Sequence, residues 1–194
     1  MRSGASRFSG MAAAGVLALV MSGAMAEAGE VATKASSAET LLSEGKINEA
    51  IDALDASVEA FWKAAPLTFR KALFVDDATG FGEYVPRANA VFAPKSELKI
   101  YAEPVGFGWK DADGVETISF RSTIEIRSEK GLILAKSSTP AVLEKVSRSK
   151  SRDFHITVTF ELPQLKPGAY ELILTVTDDA TGKSAPIKLP LTIS

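Results

Sequence analysis

The chain contains one histidine and no cysteine, and this alone removes most nucleophilic and metal chemistry from consideration. His155 lies in an alternating stretch beside threonine, and no Gly-x-Ser-x-Gly turn accompanies it. A zinc site at His155 would need an unusual set of carboxylate ligands. We therefore predict no cofactor, no metal site and no catalytic residue, and we interpret His155 as a surface histidine on the polar face of a strand.

Carboxylate pairs are the other residues that could carry acid–base or calcium chemistry. They occur at Asp76-Asp77, Asp111/Asp113 and Asp178-Asp179. The second pair matches the start of a calcium loop but lacks the third ligand and the distal glutamate. All three pairs fall where turns are expected, and aspartate favours turns because its side chain hydrogen-bonds to nearby backbone. A carboxylate-based hydrolase, with two acids about 5–9.5 Å apart across a cleft, stays open as a rival hypothesis.

An aromatic loop is a candidate ligand-binding site. Its sequence is Gly106-Phe107-Gly108-Trp109, and Tyr84 and Arg87 are predicted to lie nearby. Aromatic rings on a glycine-flexed loop can stack on sugars or grip a partner, because tryptophan and tyrosine combine apolar area with a polar handle. The alternative is that Phe107 and Trp109 close one end of the core, since large aromatic side chains usually fill cores.

A basic loop is a second candidate. Four cations lie within a serine-rich stretch: Lys145, Arg148, Lys150 and Arg152. Such a cluster could bind an anionic glycan, a lipid headgroup or an acidic protein surface. The alternative is a hydrated loop that protects a sheet edge from aggregation.

The N-terminal residues match a secretory signal peptide. Arg2 and Arg7 precede an apolar stretch from Met11 to Met21, and Ala24-Met25-Ala26 follows as a small-x-small cleavage site. We predict that residues 1–26 are a signal peptide, that no transmembrane span follows, and that the protein is periplasmic or secreted. Cleavage removes two arginines and no acid, so the net charge of −2 becomes −4. This charge argues against nucleic-acid binding.

Residues 27–65 are predicted to form a leader and a helical hairpin. A polar leader from Glu27 to Ser37 precedes a short helix that ends at Gly45. An amphipathic helix follows, because large apolar residues recur at steps of four and three: Ile47, Ile51, Leu54, Val58 and Phe61. This stripe could pack on the domain behind it, pair with a second copy as a short coiled coil, or hold a partner.

Residues 66–194 are predicted to form a β-sandwich domain. The apolar period changes to two after Pro66, and the clearest alternating runs cover residues 98–103, 117–127, 154–162 and 170–176. Alternation predicts strands that are buried on one face and hydrated on the other, so Tyr101 and Glu103 are expected on a hydrated face. Turns rich in Gly, Pro and Asp, such as residues 76–80, join the strands and favour two packed antiparallel sheets.

Two resemblances accompany these patterns. Leu165-Lys166-Pro167-Gly168-Ala169-Tyr170-Glu171-Leu172 and the run to Asp178 resemble the closing strands of exported bacterial immunoglobulin-like domains. Residues 65–70, 84–87, 92 and 101–107 are similar to a broader set of exported bacterial proteins. The resemblance implies a mainly β fold, an immunoglobulin-like β-sandwich preceded by a short α-helical segment. It implies no activity.

The helical segment also resembles half of a tetratricopeptide motif. The matching residues are Leu41-Leu42, Gly45, Glu49-Ala50-Ile51 and Leu54. Such arrays need about three repeats to bury their faces, and the chain contains no second copy. A helical hairpin therefore accounts better for this segment than a repeat array does.

These observations favour a non-catalytic binding or assembly module that holds a periplasmic protein partner. The alternative is a carbohydrate- or cell-envelope-binding module that uses the aromatic loop. The partner is expected to be a protein or an envelope glycan, and not a nucleic acid. The fold alone does not choose between these functions.

Overall fold

The structure is a computed structural model that describes residues 17–137 and 141–194, with side chains from Gly29 onward. Residues 1–16, which carry the predicted positive region and part of the predicted apolar stretch, lie outside the described residues. The chain forms two compact units, Met1–Ala64 and Ala65–Ser194. In the part that the structure describes, no helix is both long and apolar enough to cross a membrane.

The first unit is a helical hairpin of α1 (Leu17–Ser43) and α2 (Ile47–Ala64). The prediction of a non-helical leader over Glu27–Ser37 is wrong, because α1 runs through it. This stretch contains no proline, and an ion pair between Glu30 and Lys34 at 2.6 Å supports the helix at the favourable four-residue spacing. The α1 helix ends at Ser43, and Gly45 follows in the turn with a φ of +76°, a left-handed conformation that glycine adopts without steric cost.

The second unit is built from eleven strands. They are β1 (Thr68–Gly80), β2 (Glu83–Pro86), β3 (Val91–Phe92), β4 (Glu97–Val105), β5 (Lys110–Ala112), β6 (Val115–Ser128), β7 (Ile133–Lys136), β8 (Ala141–Ser147), β9 (Ile156–Glu161), β10 (Gly168–Asp178) and β11 (Ser184–Ile193). One sheet has the order β2-β1-β4-β9. The other has the order β3-β11-β10-β6-β5, and β7 and β8 also pair with β6.

The two sheets form a β-sandwich-like domain, so the expectation of a mainly β fold behind a short helical segment is confirmed. Alternate residues of the strands are buried, as in β11, where Ile187, Leu189, Leu191 and Ile193 are all at most 9% exposed. Strand pairing is antiparallel except between β3 and β11, which pair in parallel. The prediction of purely antiparallel sheets is corrected at this one pair, because β3 reaches the β11 edge after a long connection rather than through a hairpin.

The prediction of a turn at residues 76–80 is wrong. Residues 76–80 do not form the turn after the first strand, because β1 continues through them with two register shifts, and Gly82 makes the turn with a φ of +76°.

The expected hydrated face of β4 is also wrong at two positions. Tyr101 is 0% exposed and Glu103 is 6% exposed. The chain from Gly80 to Gly82 covers Tyr101, since the Gly82 N–H donates to the Tyr101 hydroxyl oxygen at 2.7 Å.

Candidate functional site

The predicted stripe on α2 is exposed to solvent. Its five side chains are 37–55% exposed, and Leu42 at the end of α1 is 59% exposed. The face of α2 that packs on α1 carries small residues instead. Ala50 and Ser57 are buried there, and the Ser57 hydroxyl donates to the Val31 carbonyl oxygen at 2.9 Å. Among the described side chains of α2, Trp62 is also buried at 5% exposure, whereas the five stripe residues and Leu42 of α1 remain uncovered.

A groove of about 240 Å³ lies on the hairpin between α1 and α2. Alanines from both helices line it together with larger apolar side chains: Ala35, Ala38, Leu42, Ile47, Ala50, Ile51 and Leu54. Glu39 is the one charged residue in its lining. A groove of small residues flanked by large ones is a shape that accepts apolar side chains of a partner helix.

One side of the α2 stripe is acidic. Each residue turns an α-helix by 100°, and this rotation places Asp55 and Asp52 beyond the stripe, on the side of α2 away from Ala50 and Ser57. Both aspartates are exposed, and neither forms an ion pair that the structure records within the described residues. The apolar stripe therefore has a negatively charged margin on the side away from α1.

In the β domain, aromatic rings form one continuous run. Tyr84 stacks on Tyr101 at 4.4 Å between ring centroids, and Tyr101 stacks on His155 at 5.6 Å. His155 adjoins Phe154 at 6.5 Å, Phe154 adjoins Phe107 at 6.0 Å, and Phe107 adjoins Trp109 at 5.0 Å. The predicted aromatic residues Tyr84 and Trp109 thus lie at opposite ends of this run rather than side by side on one loop.

The aromatic loop is fixed in place. Phe107 is only 2% exposed and contacts the rings of Phe120 and Phe154, so its prediction as a surface contact is corrected to a core position. The Gly108 N–H donates to Asp178 at 2.8 Å, and the Lys183 ammonium donates to the Gly106 carbonyl oxygen at 3.0 Å. The loop is held by hydrogen bonds from the turn between β10 and β11.

Trp109 is half-buried, and its ring contacts residues from both candidate clusters. Phe107 packs against it, and the Lys150 ammonium lies 6.0 Å from its ring centroid. The structure therefore brings the predicted basic loop to the predicted aromatic loop. The cation lies over one face of the Trp109 ring, so a sugar that stacked on that face would compete with Lys150.

Arg87 has a structural role beside β3. Its guanidinium pairs with Asp76 at 2.9 Å, donates to the Val91 carbonyl oxygen at 3.2 Å and lies 4.5 Å from the Phe92 ring centroid. It does not share a contact with Phe107 or Trp109 in the described residues, so the expected grouping of Arg87 with the aromatic loop is corrected.

A polar cluster on β1, β2 and β4, buried at Tyr101 and Glu103 and exposed at Lys71, was not predicted from the sequence. The Tyr101 hydroxyl donates to Glu103 at 3.0 Å, and the Lys71 ammonium donates to the Tyr84 hydroxyl at 2.5 Å. Burial raises the pKa of Tyr101, and the neighbouring Glu103 carboxylate adds to the rise. The one signal in the sequence was an aromatic residue and a carboxylate two positions apart on a face expected to be polar.

His155 lines a cavity of about 500 Å³. The cavity lies between β8 and the residues that lead into β9, and its lining is Gly80, Phe81, Leu143, Glu144, Lys145, Asp153, Phe154, His155 and Thr157. Burial lowers the pKa of His155, and the Lys145 ammonium lowers it further, whereas Glu103 and Glu83 oppose the change. Because the pKa of His155 is lowered, its imidazole is neutral at neutral pH.

Two of the three acidic pairs make contacts that stabilise local structure, whereas Asp111 and Asp113 are exposed. Asp76 and Asp77 pair with Arg87 and Lys99, both at 2.9 Å. The side chain of Asp178 accepts hydrogen bonds within its own turn. Asp179 pairs with Arg121, and the hydrogen bonds from Arg121 and Ser119 lower its pKa despite an opposing effect of burial. These contacts favour the interpretation of the pairs as structural.

Comparisons with known proteins place the chain in no family. No family model matches it, and no curated protein matches it. CopC from Methylosinus trichosporium OB3b is 19% identical over 64% of this chain and 94% of its own, with a TM-score of 0.31. A Niemann-Pick type C2 protein from Japanese carpenter ant is 10% identical over 67% and 94%, with a TM-score of 0.38. The CARDB domain of the PF1109 protein from Pyrococcus furiosus is 14% identical over 67% and 93%, with a TM-score of 0.27. Because every TM-score is below 0.5, these likenesses establish neither a shared fold nor a function.

Proposed function

We propose that this chain is a non-catalytic periplasmic or secreted binding module whose helical hairpin holds a protein partner. The β domain, which we propose to be immunoglobulin-like, would be a separately folded domain of the same module. The single observation that carries the proposal is the apolar stripe of α2. Export is supported by the signal-peptide pattern of residues 1–26.

The exposed stripe has an energetic consequence. Burying a large apolar side chain completely is worth about 1.5–3 kcal/mol, so covering the exposed half of one stripe residue is worth about 1 kcal/mol. Six such residues, counting Leu42, lie together on the helical hairpin. A contiguous apolar surface of this kind marks an interaction site in a soluble protein.

The proposed occupant is an amphipathic helix of another protein, with basic residues beside its apolar face. The groove between α1 and α2 fits apolar side chains of such a helix, and the acidic margin at Asp52 and Asp55 would pair with its cations. A second copy is less well matched. In an antiparallel pair of α2 helices, equivalent sides face each other, so each acidic margin would oppose its own copy.

The carbohydrate alternative has less support. It relied on an exposed aromatic platform, whereas Phe107 is in the core and Lys150 lies over the Trp109 ring. A glycan would have to displace the Lys150 contact before it could stack there. We therefore place the binding function at the hairpin rather than at the aromatic loop.

The test begins with purification of the tagged protein from its native compartment and identification of the co-purified protein. The partner is then purified, and its Kd is measured with the wild-type chain and with Ile51→Ser/Leu54→Ser. We expect binding to weaken at least about tenfold, because about 1 kcal/mol or more is lost at each position. The matched control is Glu49→Ser, which places the same residue on the opposite side of α2.

The control separates an interface effect from a helix effect. Serine lowers helix propensity similarly at each position, so equal weakening by Glu49→Ser would contradict binding through the stripe. A dimer of this chain that Ile51→Ser/Leu54→Ser dissociates would replace the proposed partner with a second copy. Flotation of the wild-type chain, but not of the double variant, with lipid vesicles would replace it with a membrane.

A further inference from the structure

The β8 strand is an open edge beside the 500 Å³ cavity. It pairs with β6 on one side, and among the described strands none pairs with its other side. The β9 strand likewise pairs only with β4. The cavity lies between these two strands, because Leu143 and Lys145 of β8 line it together with Thr157 of β9.

The two faces of β8 differ in a way that suits an added strand. Leu143 and Lys145 lie opposite the buried residues Phe120 and Ile118, so they are on the cavity side of the sheet. Val142 and Val146 are on the outward side and are 63% and 59% exposed. An exposed edge strand with apolar residues and no proline is a template for pairing with another chain.

Cavity chemistry and charge indicate what the added strand would contain. Phe81, Leu143 and Phe154 give the cavity an apolar lining large enough for a bulky side chain. Residues 144–153 contain four basic and two acidic residues, a net charge of +2, and the bases include Lys145 and Arg148. The surroundings of β8 are therefore complementary to acidic residues beside an apolar anchor.

Pairing of β8 with a second copy of itself is electrostatically disfavoured. In the antiparallel register centred on the strand, Glu144 would lie directly opposite the same residue of the other copy. Like charges in directly opposed positions destabilise a strand pair. The open edge thus selects a different sequence from its own.

We infer that the β8 edge binds an extended, acidic peptide segment of a protein, which adds a strand to the sheet and places one large apolar side chain in the cavity between β8 and β9. The backbone groups of β8 would supply affinity, and the cavity and the basic residues would supply specificity. This site is on the β domain and does not depend on the proposed partner of the helical hairpin.

The probe is a library of random peptides displayed on phage, selected on the whole chain. Enriched peptides are synthesised, and their Kd values are measured by fluorescence anisotropy with the wild-type chain and with Lys145→Glu/Arg148→Glu. We expect alternating apolar and acidic sequences, and at least about a tenfold weaker Kd for the charge-reversed variant. The matched control Lys166→Glu/Lys188→Glu reverses two exposed lysines elsewhere on the same domain and should leave the Kd unchanged.

Hydrogen exchange then distinguishes strand addition from occupation of the cavity alone. We expect the bound peptide to slow exchange of backbone amides within residues 141–147. Protection confined to residues 80–81 and 153–157 would overturn strand addition. The inference is also overturned if selection enriches no peptide above an unrelated protein, or if both charge-reversed variants bind the enriched peptides equally.

Discussion

Replacing Asp178 with alanine should destabilise the loop that carries Trp109. Asp178 is 0% exposed and lies at the end of β10. One carboxylate oxygen accepts from the Gly108 N–H at 2.8 Å and from the Thr181 hydroxyl, and the other accepts from the Ala180 N–H at 3.0 Å. Asp178→Ala removes all three acceptor contacts and leaves two backbone N–H groups without this partner.

The magnitude follows from these contacts. A hydrogen bond to a charged group is worth about 1.5–3 kcal/mol, and two backbone donors lose theirs, so we expect a loss of about 3–6 kcal/mol in the free energy of unfolding. That loss is a large part of the stability of an ordinary domain. Guanidinium unfolding followed by circular dichroism and by tryptophan fluorescence measures it. The control Asp111→Ala changes an exposed residue and should cost no more than about 0.5 kcal/mol. A loss below about 1 kcal/mol for Asp178→Ala would refute the reasoning.

Three further perturbations follow from the same structure. Gly106→Ala should cost at least about 2 kcal/mol of stability, because its φ is +80° and the added Cβ would collide with the Pro66 carbonyl oxygen. Gly45→Ala has a similar φ but open space around the new Cβ, so it should cost only about 1 kcal/mol, and thermal melts compare the two variants. Tyr101→Phe should cost about 2 kcal/mol in chemical unfolding, since it leaves Gly82 and Glu103 without their buried partner, and an unchanged midpoint would contradict this. The pKa of His155 is lower in the folded chain, so the unfolded chain binds the proton more readily, and the free energy of unfolding should decline as the pH falls below about 6.5, the unfolded value. His155→Gln should flatten that part of the curve of stability against pH, and an unchanged slope would contradict a lowered pKa at His155.

The strands of the β domain were largely predictable because their burial repeats every two residues. In β6, Ile118, Phe120, Ile124 and Ile126 alternate with more exposed residues, and the structure buries those four. Turn residues between such runs indicate where strands end, although at residues 76–80 the strand β1 continues through the predicted turn. The parallel pairing of β3 was not predictable, because a two-residue strand carries too little pattern to select a partner.

Burial of the polar cluster could not be predicted from local pattern. Tyr101 and Glu103 alternate correctly with the core residues of β4, and Tyr101 is covered by residues distant in sequence, namely Gly82, Tyr84 and His155. Phe107 was ambiguous for the same reason, since a loop aromatic can face the core or the solvent. The burial of these positions depends on contacts with residues distant in sequence, and the repeat of apolar residues along a strand does not predict such contacts.

The candidate site on the hairpin was half predictable. Steps of four and three identified the stripe from Ile47 to Phe61 as one face of a helix. Whether that face is covered depends on what the hairpin packs against, which the spacing does not contain. The open edge at β8 was likewise hidden, because a strand at the edge of a sheet has the same local pattern as one inside it.

The most direct test of the central claim is photo-crosslinking in the native compartment. A photoreactive amino acid is placed at Ile51 or Leu54, and at Glu49 on the opposite side of α2 as the control. We expect one discrete adduct with the same partner protein from both stripe positions, and none from the control. Equal adducts from all three positions, or none from the stripe, would contradict the proposal that the helical hairpin holds a protein partner.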